Sequence, residues 1–186
     1  MKLVILNLIL FASVVVFSQT PTTYDKYQYI DRWNGTIEKV GGKTFPKFTA
    51  TSLDGTTLSE ESLKGKITLV NFWFEHCAPC IAELGELNKL YQRLNDKPGF
   101  QFISIIRESA ESAERLVNKH QLQFSVYPLS TEECGRLNFG SGFPTNIILD
   151  REGKVIFYKA GGPIKEEGVK KAIQEIEERI LAGLED

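Results

Sequence analysis

Apolar runs separated by polar and glycine-containing segments divide the chain into alternating strands and helices. The run from Ile67 to Phe74 is nearly free of polar residues, which is typical of a strand buried on both faces of a sheet. The helix predicted from about Pro79 to Leu94 carries leucines at three- and four-residue steps and ends before Lys97-Pro98-Gly99. Strand, turn and helix are therefore contiguous in this part of the chain.

The second half continues this alternation and then changes to a hairpin. Phe100 to Ile106 predicts a second buried strand, Ala110 to about His120 a helix, and Phe124 to Leu129 a short strand. A hairpin and a charged amphipathic helix follow, over Asn146 to Leu149, Val155 to Tyr158 and Lys165 to Leu184, with a glycine turn from Asp150 to Gly153. This order predicts an α/β fold of the thioredoxin type, with an inserted strand-helix unit between its two halves.

Ahead of the first buried strand the patterns are shorter. Phe45 to Phe48 and Asp54-Gly55-Thr56 predict a strand pair joined at a turn, because Asp-Gly favours positive backbone angles. Leu58 to Lys64 predicts a helical turn. Residues 19–42 are polar and aromatic without a sustained period, so we expect an N-terminal extension packed on a domain formed by residues 43–186.

The first eighteen residues resemble a signal peptide. Lys2 precedes an apolar stretch from Leu3 to Phe17, which is shorter than the roughly 20 residues that a membrane-spanning helix needs. Ser18 offers a small residue before Gln19, where we expect the mature chain to begin. The prediction is export to the periplasm or another extracytoplasmic space; the alternatives are an uncleaved membrane anchor and a buried helix.

Charge and composition narrow the classes of partner. The formal net charge is -2, and basic and acidic residues are interspersed along the chain, so no basic patch predicts binding to nucleic acid or to an anionic membrane surface. The composition is that of one globular domain without repeats. We expect a monomer.

The chain has three cysteines, two of them in Cys77-Ala78-Pro79-Cys80 and the third, Cys134, alone. A cysteine at the first turn of a helix faces unpaired backbone amides and the positive end of the helix dipole, and both favour the thiolate. Cys80 lies about one turn later, close enough for a disulfide with Cys77. We predict that Cys77 attacks a partner's disulfide and that Cys80 resolves the mixed disulfide.

The alternative interpretation of this pair is half of a zinc site. Zinc would need two further ligands, and only His76, His120 and Cys134 remain as soft candidates. We therefore expect no metal and no cofactor beyond the redox-active disulfide itself.

Three segments resemble the signature of the TlpA/ResA-like thioredoxin family. They are Val70-Asn71-Phe72-Trp73, Cys77-Ala78-Pro79-Cys80 and Gly142-Phe143-Pro144-Thr145. The resemblance covers roughly Gly42 to Ala182. It implies that Pro144 is cis and lies beside the cysteine pair, where the backbone of Phe143 pairs with an extended segment of the partner. The alternative is an ordinary trans turn before a strand.

The same resemblance assigns a proton-transfer role to Glu83, three residues after the second cysteine. Thioredoxin itself has a buried aspartate where Asn71 stands, so that proton route is missing here, as in similar TlpA-like proteins. Partial burial would raise the pKa of Glu83 towards the working pH. The alternative is a solvated helix glutamate.

Other residues around the motif are candidates for binding the substrate. We expect His76, Ala78 and Pro79 to contact the partner, and Trp73 to pack beside the active turn with a secondary role in shaping the partner surface. Glu75-His76 departs from the family pattern, so His76 either favours the thiolate of Cys77 or faces solvent without effect.

The expected activity is thiol-disulfide exchange on exported proteins. The family resemblance implies reduction of specific protein disulfides, as in cytochrome c maturation, with a membrane thiol-transfer protein as the electron donor. The motif does not fix the direction, so a disulfide oxidase or isomerase is the nearest alternative. A peroxidase would need threonine or serine and proline before its cysteine, and Phe74-Glu75-His76 supplies neither. The remaining alternative is a non-catalytic module that binds metal or a partner.

Overall fold

The computed structural model describes residues 40–185, which fold around a mixed five-stranded sheet. The predicted signal peptide (1–18) and residues 19–39 of the predicted extension lie outside the described residues. The elements in chain order are β1 (Thr49–Thr51), β2 (Thr57–Ser59), a 3₁₀ turn (Glu60–Leu63), β3 (Ile67–Trp73), α1 (Ala78–Leu94), β4 (Phe100–Ile106), α2 (Ala110–His120), β5 (Val126–Pro128), α3 (Thr131–Leu137), β6 (Thr145–Leu149), β7 (Val155–Ala160) and α4 (Glu166–Glu185).

The sheet has the strand order β5-β4-β3-β6-β7. β3 pairs in parallel with β4, and β4 in parallel with β5, whereas β6 and β7 run antiparallel to their neighbours. β3 is the central strand, and all seven of its residues are buried, as its apolar run predicted. The predicted order of strand, helix, strand, inserted unit, hairpin and helix is confirmed.

Side chains of β3 alternate between two apolar cores, because successive residues of a strand point to opposite faces. Leu69 and Trp73 join the core that contains the buried faces of α1, α2 and α4. Val70 and Phe72 join the core on the other face. That second core is closed by α3 and by the segment that leads into β1. Both faces of the sheet are therefore covered.

Two local predictions differ from the structure. The strand predicted at Phe45 to Phe48 begins only at Thr49; Phe45 and Phe48 are buried, but Pro46 stands between them in an extended loop without strand pairing. Helix α3, which lies in the inserted unit after β5, was not predicted. Only two of its seven residues, Cys134 and Leu137, are buried, so its sequence shows little helical periodicity.

Helix α1 runs without interruption through Gly85, which is exposed. Among residues 40–185, no helix is both long and apolar enough to cross a membrane.

Replacing Gly85 with alanine should stabilise the protein by about 0.5–1 kcal/mol, since glycine loses more backbone freedom in a helix than alanine. A Cβ at this position would have no neighbouring atom within 4 Å. The measurement is the free energy of unfolding by urea, with the disulfide intact.

Gly183 in α4 is the matched control, because a Cβ there would lie 3.1 Å from Cδ1 of Ile67. Gly183→Ala should gain less stability than Gly85→Ala or lose some. Equal stabilisation by both substitutions would contradict the packing described here.

Candidate active site

The cysteine pair lies where the central strand passes into α1. Cys77 is the N-cap of the helix, and Cys77 and Cys80 are joined by a disulfide with their Cα atoms 5.2 Å apart. The Sγ of Cys77 accepts a hydrogen bond from the backbone N–H of Cys80 at 3.3 Å. Cys77 keeps 4% of its surface exposed and Cys80 none. A partner arriving from solvent can therefore reach only the first cysteine.

The beginning of α1 favours a negative charge on Cys77. Cys77 has an extended backbone conformation, Pro79 occupies the first helical turn, and that turn contains no acidic residue. Proline is tolerated there because its missing N–H would have no partner in the helix anyway. The free amides and the helix dipole then act on the sulfur of Cys77 without competition from a nearby carboxylate in that turn.

The peptide bond between Phe143 and Pro144 is cis, as the family resemblance implied. Pro144 borders the cysteine loop: a Cβ built on Gly162 would lie 3.3 Å from Cγ of Pro144 and 3.9 Å from Cβ of Pro79. The backbone N–H and C=O of Phe143 make no hydrogen bond within residues 40–185. They are free to pair with an extended strand of a partner, as the resemblance also predicts.

Glu83 is buried on the inner face of α1, one turn after Cys80. Its Oε1 accepts a hydrogen bond from Nδ2 of Asn71 at 2.8 Å, and Nδ2 of Asn146 lies 3.3 Å from each carboxyl oxygen. Burial raises the pKa of Glu83 to about 7, while the hydrogen bonds from Asn146 and Asn71 and the charge of Lys159 act in the opposite direction. The alternative of a solvated glutamate is therefore wrong, because only 5% of the residue is exposed.

Asn146 is a site residue that the sequence analysis missed. It faces Asn71 across the β3–β6 pairing, and Nδ2 of Asn71 donates to its Oδ1 at 2.9 Å. The available signal was a polar residue directly before the apolar run that ends this strand. Its connection to Glu83 depends on the strand register, which the sequence pattern did not specify.

Trp73 is fully buried, and its indole Nε1–H donates to Oγ of Ser104 at 2.8 Å. The predicted packing role agrees with this position. The expected secondary role in shaping the partner surface is wrong for this structure, because Trp73 has no exposed surface to offer. His76 and Ala78 are exposed and Pro79 is partly exposed, so these three candidates remain accessible beside Cys77.

Glu75, the residue before His76, is hydrogen-bonded to α2 and to the loop that precedes this helix. The backbone N–H of Glu75 donates to Oε1 of Glu108 at 3.1 Å, and both carboxyl oxygens of Glu75 accept from Nη2 of Arg115 in α2, at 2.9 and 2.8 Å. Hydrogen bonding to Arg115 lowers the pKa of Glu75. The loop that leads to Cys77 is thus fastened to α2, a contact that the sequence did not reveal.

Cys134 belongs to the apolar core on the other face of the sheet from the disulfide; it is buried in α3, where its Sγ is 3.9 Å from the carbonyl oxygen of Leu129. Burial raises the pKa of its thiol to about 11, so it remains a protonated apolar side chain. Within residues 40–185, no group of three or more histidine, cysteine or acidic side chains is arranged to hold a metal ion.

Comparison with known proteins agrees with this geometry. The sequence profile described as the AhpC/TSA family matches residues 41–158. The thiol-disulfide oxidoreductase ResA of Bacillus thuringiensis (strain Al Hakam) is 33% identical over 138 residues, which cover 71% of this chain and 78% of the relative.

Solved structures share the fold. The thioredoxin domain of a thiol-disulfide oxidoreductase from Bacteroides vulgatus superposes with a TM-score of 0.60 at 25% identity, covering 74% of this chain and 97% of the other. A secreted Mycobacterium tuberculosis disulfide oxidoreductase, described as homologous to Escherichia coli DsbE, superposes with a TM-score of 0.59 at 23% identity, covering 73% and 95%.

A disulfide at the beginning of a helix, the cis proline beside it and the similarity to ResA agree with one another. The chain belongs to the AhpC/TSA family and, within it, to the TlpA/ResA-like thioredoxins, which makes it a thiol-disulfide oxidoreductase with a thioredoxin fold.

Proposed function

We propose that this protein reduces disulfides of specific exported proteins, with Cys77 as nucleophile, Cys80 as resolving thiol and Glu83 as the group that takes the proton of Cys80. The observation that carries the assigned roles is Glu83: a buried carboxyl with a pKa raised to about 7, one helical turn after the resolving cysteine. The proposed direction, reduction of the partner, rests on the resemblance to the TlpA/ResA-like family. A base with this pKa is close to half ionised at neutral pH, as proton transfer requires.

The reaction begins from the dithiol form. The thiolate of Cys77 attacks one sulfur of the partner's disulfide, forms a mixed disulfide and releases the partner's other sulfur as a thiolate, which takes a proton from solvent. Cys80 then transfers its proton to Glu83 and attacks the sulfur of Cys77. The partner leaves with both cysteines reduced, and this protein keeps the Cys77–Cys80 disulfide. Two electrons have passed to the partner.

The surroundings of Glu83 support its role in that second step. Residues three apart on a helix share a face, so Cys80 and Glu83 both point into the core beside β3. Oδ1 of Asn71 is buried and has no hydrogen-bond partner within the described chain, which leaves one acceptor in the network for an additional hydrogen. Such a network suits a carboxyl that alternates between its charged and neutral forms.

The proposed location is outside the cytoplasm, because residues 1–18 resemble a signal peptide and the structural neighbour from Mycobacterium tuberculosis is described as secreted. Proteins with an exposed disulfide in an extended segment are the proposed substrates, including those of cytochrome c maturation. The proposed electron donor is a membrane thiol-transfer protein.

Replacing Cys80 with serine should trap partner proteins on Cys77, because the mixed disulfide can form but is no longer resolved from within. Replacing Cys77 with serine should trap none, because the buried Cys80 cannot reach a partner. The full chain is expressed in a bacterial host. Acid stops thiol-disulfide exchange, alkylation then blocks the free thiols, and the mixed-disulfide adducts are separated on non-reducing gels. Equal trapping by the two variants would show that the roles are assigned wrongly.

Replacing Glu83 with glutamine should slow the resolution of the mixed disulfide by roughly a hundredfold at pH 7, the loss expected when a general base is removed. The rate of the wild-type protein should rise with pH through about 7, where Glu83 ionises, and that inflection should be absent from the variant. To measure this rate, a mixed disulfide on Cys77 is formed beforehand and rapidly mixed into buffers from pH 5 to 9. Its decay is followed by acid quench.

Glu86→Gln is the matched control, since Glu86 lies one turn further along α1 and pairs with Lys89. It should keep both the rate and the inflection. A Glu83→Gln variant that retained the inflection near pH 7 would exclude Glu83 as the base.

The same substitution should change stability in a pH-dependent way. The carboxyl of Glu83 has a higher pKa folded than unfolded, so the protein loses stability as the pH rises from about 4.5 to about 7, where only the unfolded chain has released this proton. The loss corresponds to about 3 kcal/mol at full ionisation. The oxidised Glu83→Gln protein should be more stable than wild type at pH 8, and this difference should shrink at pH 5; urea unfolding at both values tests it.

A further inference from the structure

The guanidinium group of Arg107 lies on two aromatic rings beside the active loops. Its Cζ is 4.1 Å from the ring centroid of Phe74 and 5.2 Å from that of Phe143. The two rings are packed edge to face, with centroids 5.2 Å apart. This cation–π arrangement fixes the charge at one place and removes part of its hydration.

The two carboxylates nearest to Arg107 in the active loops, Glu75 and Glu108, have other hydrogen-bond partners within residues 40–185. Glu108 accepts from the backbone of Glu75, and the carboxylate of Glu75 is bound by Arg115. Elsewhere on the surface, Arg93 is paired with a glutamate, as Arg115 is. In the described part of the chain, Arg107 forms no ion pair. Its guanidinium donors are therefore free to bind an anion.

The two rings belong to the loops that surround the disulfide. The carbonyl oxygen of Phe74 accepts the backbone N–H of Cys77 at 3.3 Å, so Phe74 is part of the turn that positions the nucleophile. Phe143 precedes the cis Pro144 and has the free backbone groups proposed to pair with the partner. Arg107 itself is fastened to the end of β3, since its N–H donates to the carbonyl oxygen of Trp73 at 3.1 Å.

A cleft of about 640 Å³ opens next to Arg107, between the C-terminal ends of β4 and β5. Its lining includes Ser109 and Ser130, which cap the two helices that begin there, and Leu129. The cleft offers room beside Arg107 for a side chain of the partner.

We propose that Arg107 is a specificity determinant for the partner: it binds the carboxylate of an aspartate or glutamate that lies within a few residues of the disulfide that Cys77 attacks. This inference rests on the proposed function, since it concerns the substrate of the same site. A planar guanidinium presents paired N–H donors to a carboxylate, and the contacts with the rings of Phe74 and Phe143 hold the group in place in advance. Charge complementarity of this kind raises the rate of productive encounter.

Three synthetic peptides test the proposal. Each contains one internal disulfide, and the residues flanking the two cysteines are all glutamate, all glutamine or all lysine. The reduced full-length protein is mixed with each peptide, and the second-order rate of peptide reduction is measured by acid quench and chromatography. The wild-type protein should reduce the glutamate peptide about three- to tenfold faster than the lysine peptide at low ionic strength, and salt at about 0.5 M should shrink this ratio.

Variants of Arg107 test whether this residue causes the preference for the glutamate peptide. Arg107→Gln should bring the glutamate-to-lysine ratio close to one, and Arg107→Lys, which keeps the charge but loses the planar fork, should give an intermediate ratio. Arg93→Gln removes the same charge from the far end of α1 and should keep the wild-type ratio. Because each ratio is measured within one variant, a general loss of activity does not imitate the expected result.

Two outcomes would overturn the role of Arg107: equal rates for the glutamate and lysine peptides with the wild-type protein, or an unchanged ratio in Arg107→Gln. A wild-type protein that reduces none of the three peptides would instead contradict the proposed reductase function. The experiment therefore separates the failure of the two proposals.

Discussion

Burial of one ionisable group, Glu83, is the constraint around which the site is arranged. A carboxyl inside an apolar core is costly unless hydrogen bonds compensate it, and here two amides do so, from neighbouring strands. Asn71 and Asn146 can meet Glu83 only because β3 and β6 pair in a register that places them opposite each other. The same strands carry the cysteine loop and the cis proline at their ends. The sheet register therefore fixes the proton-transfer group, the nucleophile and the partner-pairing loop together.

The elements that the sequence predicted well are those whose periodicity is imposed by deep burial. β3 is buried throughout and mostly apolar because both of its faces are covered, and α1 has its leucines at helical spacing because one face lies on the sheet. α3 escaped prediction since it is short, contains Gly135 and buries only two residues. The first hairpin was placed too early because Phe45 and Phe48 are apolar anchors of a loop, and burial alone does not make a strand.

Site residues could be predicted where a few consecutive residues identify them, and could not where only contacts between distant parts of the chain do. Cys77, Cys80, Glu83 and the cis bond at Pro144 were accessible from short motifs, because helix position and family signature are properties of a few consecutive residues. Asn146, Arg107 and Arg115 were not, because each acts through a contact with residues more than thirty positions away, in another element. Trp73 ends a strand beside the motif, but only the packed sheet shows that it faces inward to Ser104.

Burial also explains why a carboxyl with a raised pKa is suited to the second step of the proposed reaction. Releasing the proton of Cys80 directly to solvent would create a new negative charge in an apolar environment, which is unfavourable. Transfer to an ionised Glu83 leaves the net charge of the pair unchanged, because the carboxylate becomes neutral as the sulfur becomes negative. The free energy cost of burying one negative charge arises when the protein folds around Glu83. The proton transfer adds no second buried charge during turnover. The raised pKa of Glu83 and the full burial of Cys80 are then two consequences of the same closed site.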